Sequence, residues 1–96
     1  MIKHIVMWNL KEENRMKNAK KLKVLLEDLK KDIKEINEIE VGINLNNSNA
    51  SMDVILYSVF NNLDALDIYQ NHPKHLKVKE FVKEIATDRK VVDYEI

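Results

Sequence analysis

The sequence predicts a two-layer α+β fold in which helices cover one face of an antiparallel sheet. Two observations lead to this class. Several segments alternate apolar and polar side chains or are rich in strand-forming residues, whereas other segments repeat apolar residues every three or four positions. Their order along the chain is βαββαβ, which is typical of a layer of helices on one sheet.

The strands are predicted from the alternation of side chains. Residues 2–10 and 38–46 alternate, residues 52–60 are almost all apolar, and residues 88–95 form a last short strand. The first strand directs one set of residues to a single face: Ile2, His4, Val6, Trp8 and Leu10. The Asn-rich break at 46–51 is short, so the second and third strands are expected to pair as an antiparallel hairpin.

The first helix is predicted from about Asn14 to near Lys31. Its apolar positions step by three or four, and its other side carries mostly charged residues. The stripe consists of Met16, Ala19, Leu22, Leu26, Leu29, Ile33 and Ile36. An irregular turn then leads to Asn37.

The second helical region is predicted to be broken in two. Asn61 is expected to cap a short helix, with Asp64 in the position of a capping box. Pro73 suits the first turn of a further helix that runs to about Ala86, with His72 as its cap. The complete order predicts a ferredoxin-like βαββαβ two-layer sandwich with a four-stranded antiparallel sheet.

Composition restricts the function classes. The chain has 96 residues, with 16 basic and 16 acidic side chains and no cysteine. It therefore predicts one domain over residues 1–96, without disulfides or thiolate metal sites. The zero net charge argues against a nucleic-acid partner, and no apolar run approaches the roughly 18 residues of a membrane span. The N-terminus lacks a signal-peptide layout, so we expect a cytoplasmic protein with no membrane partner.

The first and third strands are apolar on both faces. Ile5 and Met7 lie opposite Val6 and Trp8, and the third strand likewise has apolar residues on both sides. Helices can cover only one face of this sheet, and a large apolar patch exposed to water marks an interface. We therefore expect a homodimer through the helix-free sheet face, with a barrel-like core.

Three residues are candidates for chemistry. His75 shares an apolar helix stripe, Tyr69 lies on the inner side of the preceding helix, and His4 shares a strand face with Trp8. All three are expected to converge between sheet and helices. One interpretation is an acid–base site, because histidine titrates near neutrality and a tyrosine hydroxyl orients it or holds an oxyanion. The other is structural, with core histidines bonded to backbone or to Tyr69.

A metal site and a cofactor are not expected. His72 and His75 have the i, i+3 spacing of two ligands, with His4 or Asp93 as a third. Pro73 and the inward direction of His75 make shared coordination awkward. The chain also has no Gly-rich phosphate loop and no nucleophile elbow.

Several motifs resemble the stress-responsive A/B barrel (Dabb) family in the right order along the whole chain. The most specific is Tyr-x-x-His-Pro-x-His at residues 69–75. The others are Ile2-Lys3-His4-Ile5-Val6-Met7-Trp8, Glu40-Val41-Gly42, Phe60-Asn61-Asn62-Leu63-Asp64-Ala65-Leu66 and Val92-Asp93-Tyr94. The resemblance implies a ferredoxin-like fold and a homodimer whose two sheets form an α+β barrel.

The family resemblance implies less about activity. One plant branch of the family cyclises a linear polyketide by an intramolecular aldol step, with catalytic residues that fall here on Tyr69 and His75. That cyclase has a further pocket histidine where this chain has Val54. Monooxygenase or haem-degrading chemistry would rest on fold analogy alone.

The most economical prediction is a dimeric domain of unassigned role that binds a small hydrophobic ligand. The ligand pocket is expected to be lined by Val6, Trp8, Leu56 and His72. The alternative is an acid–base enzyme acting on a small carbonyl substrate. In that case His75 is the general base, Tyr69 orients it or stabilises the oxyanion, and His4 supports the site.

Overall fold

Seven elements form the chain, and the computed structural model describes all 96 residues. They are β1 (Ile2–Leu10), α1 (Arg15–Asp32), β2 (Glu38–Ile43), β3 (Val54–Phe60), α2 (Leu63–Asn71), α3 (Pro73–Ile85) and β4 (Ala86–Glu95). The predicted βαββαβ order is confirmed, with the second helical region divided into α2 and α3. No helix is long and apolar enough to cross a bilayer.

The four strands form one antiparallel sheet in the order β2-β3-β1-β4. β1 and β3 are central, and β2 and β4 are the edges. In this register Ile5 lies opposite Tyr57 of β3 and opposite Val92 of β4. The predicted ferredoxin-like fold is confirmed.

The core lies between the sheet and the helices. Alternate residues of β1 are buried, and those between them are half-buried. The buried side chains that face them from the helices are Ala19, Leu22, Leu26 and Leu29 of α1, Ala65, Leu66 and Tyr69 of α2, and Val78 and Ile85 of α3. Each large apolar side chain buried here contributes roughly 1.5–3 kcal/mol relative to an exposed position.

The loop between β2 and β3 is longer than the sequence predicted. β2 ends at Ile43 and β3 begins at Val54, so the hairpin is confirmed but its short connection is wrong. The Asn44 side chain donates to the Asn46 carbonyl at 2.8 Å and accepts the Asn46 N–H at 2.9 Å. This local turn competes with the strand ladder and ends β2 early.

The cap of α2 lies one residue later than predicted. The side chain of Asn62, not Asn61, accepts the Ala65 N–H at 2.8 Å, while Asn61 accepts a hydrogen bond from Asn37. The amide of Asn62 reaches the N3 position of the helix, as N-capping requires. Leu63 is the first helical residue and is 65% exposed, so the buried side of α2 begins at Ala65.

The break between α2 and α3 follows the prediction. Pro73 occupies the first turn of α3, and His72 Nδ1 accepts the Lys74 N–H at 3.1 Å. Pro73 has no N–H to donate to α2, so the chain changes direction here. At its other end α3 leads into β4 at Ala86 without a loop, two residues before the predicted start of that strand.

Two side chains of α1 cover part of the free edge of β2. Lys23 Nζ donates to the Val41 carbonyl at 2.6 Å, and Glu27 Oε2 accepts the Val41 N–H at 3.0 Å. Lys23 and Glu27 also form an ion pair at 2.8 Å. The hydrogen bond from Lys23 is the main reason why the pKa of the Glu27 carboxyl lies below its usual range, and the hydrogen bond from Val41 contributes less.

The sheet face opposite the helices is apolar at its centre, as predicted. Ile5 and Met7 of β1 are half-buried, and Ile55 of β3 and Val92 and Tyr94 of β4 are exposed. Charged residues lie at its margins, with glutamates on β2 and lysines on β1 and β4. No helix of the chain packs on this face.

Candidate functional site

His4 lies in the centre of the sheet on the helix side. Its Nδ1 is 2.5 Å from Asp93 Oδ1, and the two residues are direct cross-strand partners on β1 and β4. The His4 side chain is 3% exposed and that of Asp93 is 38% exposed. Because a carboxylate accepts, Nδ1 carries the proton of the bond. A neutral His4 ring therefore has its lone pair on Nε2.

His75 lies in the first turn of α3 and is held by the end of α2. Its Nδ1 donates to the Gln70 carbonyl at 3.1 Å, one of the carbonyls that the end of α2 leaves unpaired. Burial lowers the pKa of His75 below its usual 6.5, and the Gln70 bond opposes this only in part. The neutral ring is therefore favoured at pH 7, with Nε2 as an acceptor.

Tyr69 lies between the two histidines and is fully buried. Its ring centroid is 4.5 Å from that of His75, 6.2 Å from that of His4 and 4.9 Å from that of Phe60. Burial raises the pKa of Tyr69, so the phenol stays protonated. The convergence of these three residues is observed. Of the two partners considered for the core histidines, backbone or Tyr69, His75 has the backbone partner, and the Tyr69 hydroxyl has no partner.

A cavity of about 610 Å³ opens between the sheet and the pair α2 and α3. His4, Val6, Trp8, Leu56 and His75 line it. The remaining wall comes mainly from α3, with Leu26 of α1, three polar residues of α2 and Arg89 of β4.

Two candidate residues do not line the cavity. The pocket role of His72 is wrong, because its ring is directed back to cap α3 at Lys74. Tyr69 contacts the site from behind, through its ring against His75.

Two imidazole nitrogens remain free at the cavity. The Nε2 atoms of His4 and His75 make no hydrogen bond within the protein, and neither belongs to the fully enclosed unpaired atoms. Those enclosed atoms are Trp8 Nε1 and the Tyr69 hydroxyl oxygen. The site thus places two unpaired imidazole nitrogens on a wall that is made of both apolar and polar side chains. No three His, Asp or Glu side chains are grouped so as to hold a metal ion.

The family model described as "Stress responsive A/B Barrel Domain" (Dabb) matches residues 2–96. The chain belongs to the Dabb family. The resemblance noted in the sequence is therefore confirmed. No curated protein matches this Dabb chain.

Solved structures share the whole Dabb fold. A dimeric ferredoxin-like protein of unknown function from Bacteroides fragilis is 34% identical, with 99% of this chain and 95% of that chain covered and a TM-score of 0.90. A dimeric ferredoxin-like protein of unknown function from Thermobifida fusca is 20% identical, with coverages of 99% and 90% and a TM-score of 0.87. The hydroxynitrile lyase of Passiflora edulis is 17% identical, with coverages of 99% and 92% and a TM-score of 0.87.

Sequence reasoning missed the partner of His4 and the charged part of the wall. Alternation puts Asp93 and Val91 on the same face of β4, and only the observed register shows that this is the helix side and that Asp93 lies opposite His4. Arg89, which lines the cavity, is likewise positioned by its pairing with Trp8. The alternation of side chains in the sequence shows which residues share a face of a strand. It does not show the strand register, which decides the cross-strand partner of each residue.

The state of His75 gives a direct prediction. We expect its NMR titration midpoint below 6.5 and its neutral form to carry the proton on Nδ1, because burial disfavours the cation and Gln70 accepts that proton. Between the folded pKa and 6.5 the unfolded chain binds more protons, so stability contributed by neutral His75 falls as pH drops through this window. Nitrogen chemical shifts of the ring and pH-dependent unfolding, with His75→Gln as reference, measure both effects. A midpoint above 6.5 or an Nε2–H tautomer contradicts the geometry.

Proposed function

We propose that this Dabb domain binds a small molecule with an apolar body in the cavity between the sheet and α3. The observation that carries the proposal is the pair of free Nε2 atoms, from His4 and His75, on the wall of a cavity that also has an apolar surface built by residues such as Val6, Trp8 and Leu56. Ligand sites combine apolar walls with a few fixed polar groups in this way, and their volumes are typically about 300–1,000 Å³. The cavity of about 610 Å³ lies within that range.

Filling the cavity tests binding. We expect Val82→Phe, on the α3 wall, to lower the affinity for the neutral dye N-phenyl-1-naphthylamine by at least about tenfold, because the larger ring displaces ligand volume. Val24→Phe is the matched control, since Val24 is exposed on α1 and does not line the cavity. Fluorescence titration measures both affinities. Equal affinities for the two variants, with both folded, contradict the proposal.

A second candidate function is proton transfer on a carbonyl substrate in the same cavity. It is favoured by the fixed tautomers of His4 and His75, each of which leaves a basic Nε2 free. In this scheme His75 Nε2 takes a proton from the carbon next to a carbonyl, and the electron pair moves to the carbonyl oxygen as an enolate. The Gln70 carbonyl then stabilises the imidazolium through Nδ1–H.

The other two residues have supporting roles in that scheme. His4, held by Asp93, is a second acid–base group at the cavity. Tyr69 is a positioning residue, because its ring packs on His75 without lining the cavity. A hydroxynitrile lyase is among the proteins that share this fold, so the scaffold accommodates a lyase, although fold alone does not assign one here.

Hydrogen exchange tests proton transfer separately from binding. We expect the protein to accelerate deuterium incorporation next to the carbonyl of 2-octanone in D₂O, and His75→Gln to lose roughly 100-fold or more of that acceleration. The rate should rise with pH through the lowered His75 pKa and then level off. His72→Gln is the control, because this ring faces away from the cavity. NMR follows the exchange, and binding without acceleration removes the catalytic role only.

We also propose that two copies associate through the helix-free sheet face. Structural neighbours from three organisms are dimeric in their crystals. In this chain the centre of that face is apolar, with Ile5, Met7, Ile55, Val92 and Tyr94 at least partly exposed. Covering such a patch in a twofold interface removes it from water, and the charged margins then form a polar rim.

A charge at the centre of this face tests the dimer. We expect Ile5→Asp to shift the protein from dimer to monomer at micromolar concentration, because a buried unpaired carboxylate is strongly unfavourable. Leu63→Asp places the same charge at an exposed position on the helix side and should leave the dimer intact. Sedimentation equilibrium gives the masses. A monomeric wild type, or a dimer unaffected by Ile5→Asp, contradicts this interface.

A further inference from the structure

Basic side chains cluster at the cavity. Lys79 and Lys83 from α3 and Arg89 from β4 line it, against one acidic lining residue, Asp67. The formal charge of the lining residues is therefore 3 − 1 = +2 with neutral histidines, although the whole chain has a net charge of zero. The positive charge at the cavity therefore results from where the fold places these residues, since the chain as a whole has no excess of basic residues.

The positions of these cations follow from the fold. His75, Lys79 and Lys83 are spaced by four residues, so they form one row along α3. Arg89 is the direct cross-strand partner of Trp8, so it leaves the sheet on the helix side beside the cavity floor. Two separate elements thus direct positive charge to one opening.

None of the three cations has an acidic partner. No ion pair includes Lys79, Lys83 or Arg89. The acids nearest in sequence to Arg89 are engaged elsewhere, since Asp93 bonds His4 and Asp88 pairs with Lys90. Lys79 and Lys83 are spaced by four residues on one helix face and repel each other, and Glu80, which lies between them in sequence, pairs with neither. This repulsion raises the attraction for an external anion.

Apolar side chains line the same cavity. They are Val6 and Trp8 of β1, Leu56 of β3, and Val78 and Val82 of α3. An arginine fork beside lysines suits a planar anionic group, and the aliphatic and indole surfaces suit a hydrocarbon body.

We propose that the ligand of this cavity is an amphipathic organic anion. Its charged group lies between Arg89 and the row of Lys79 and Lys83, and its apolar body extends toward Trp8 and Leu56. This inference rests on the proposed function, because it names the chemical class of molecule that the same cavity binds. Neutral and cationic molecules of equal size are expected to bind less well.

Three eight-carbon probes that differ only in the head group test this class. Trp8 is the sole tryptophan and lines the cavity, so its fluorescence reports occupancy directly. We expect octanoate to bind roughly tenfold more tightly than 1-octanol, with octylammonium weakest. The preference for octanoate over 1-octanol should shrink as salt is raised, because screening weakens exposed charges.

Single-charge variants locate the anion. We expect Arg89→Gln and Lys79→Gln each to lower octanoate affinity by about three- to tenfold and to leave 1-octanol affinity unchanged. Lys77→Gln removes a charge from the same helix away from the cavity and should change neither. Equal effects of Lys77→Gln and Lys79→Gln would indicate general attraction to the surface and overturn the assignment.

The probes also distinguish a cavity that binds no ligand from a cavity that binds ligands without preferring an anion. If 1-octanol or octylammonium binds as tightly as octanoate, the cavity binds ligands without preference for an anion, and only this inference fails. If none of the three probes binds while N-phenyl-1-naphthylamine also fails to bind, the proposed function fails with it. Octanoate affinity that is lowered in Arg89→Gln and unchanged in Lys77→Gln supports both.

Discussion

The bond between His4 and Asp93 is the constraint on which the arrangement of the site depends. An imidazole buried at the centre of a sheet is unfavourable unless its polar atoms are paired, and the partner comes from the last strand of the chain. This pair joins the first and last elements across the helix side of the sheet. The same register that brings Asp93 to His4 also brings Arg89 to Trp8. One alignment of β1 with β4 therefore sets the polar and the charged parts of the cavity together.

The second constraint is the break between α2 and α3. Pro73 prevents α2 from continuing, and His72 caps α3. The Gln70 carbonyl is therefore free to accept a hydrogen bond from His75. A continuous helix would satisfy that carbonyl internally and leave His75 without its backbone partner. The break thus fixes the tautomer of His75, and Tyr69 behind it fixes the position of the ring. The two histidines of this short motif therefore have different roles: His72 caps α3, and His75 lines the cavity.

Alternation and helical spacing are local properties, and they predicted the element order, the helix-facing side of β1 and the approach of Tyr69, His75 and His4. The sequence did not predict features that depend on register or on competition between neighbouring side chains. Asn44 turns the chain out of β2 three residues early, and Asn62 rather than Asn61 reaches the helix amides. Asp93 and Arg89 could not be placed beside the site without the pairing of β4. His72 does not line the cavity, because its ring is held at the start of α3, where Nδ1 accepts the Lys74 N–H.

The contacts of α1 with Val41 have a consequence for association between copies of the chain. A sheet edge with free N–H and C=O groups can recruit another strand and so extend the ladder from molecule to molecule. At Val41 both backbone groups are already bonded, by Glu27 and Lys23, and those two side chains are bonded to each other. A strand that approached the β2 edge here would have to displace both hydrogen bonds at Val41. The fold therefore disfavours strand addition at this part of the β2 edge, whereas the apolar sheet face has no such cover.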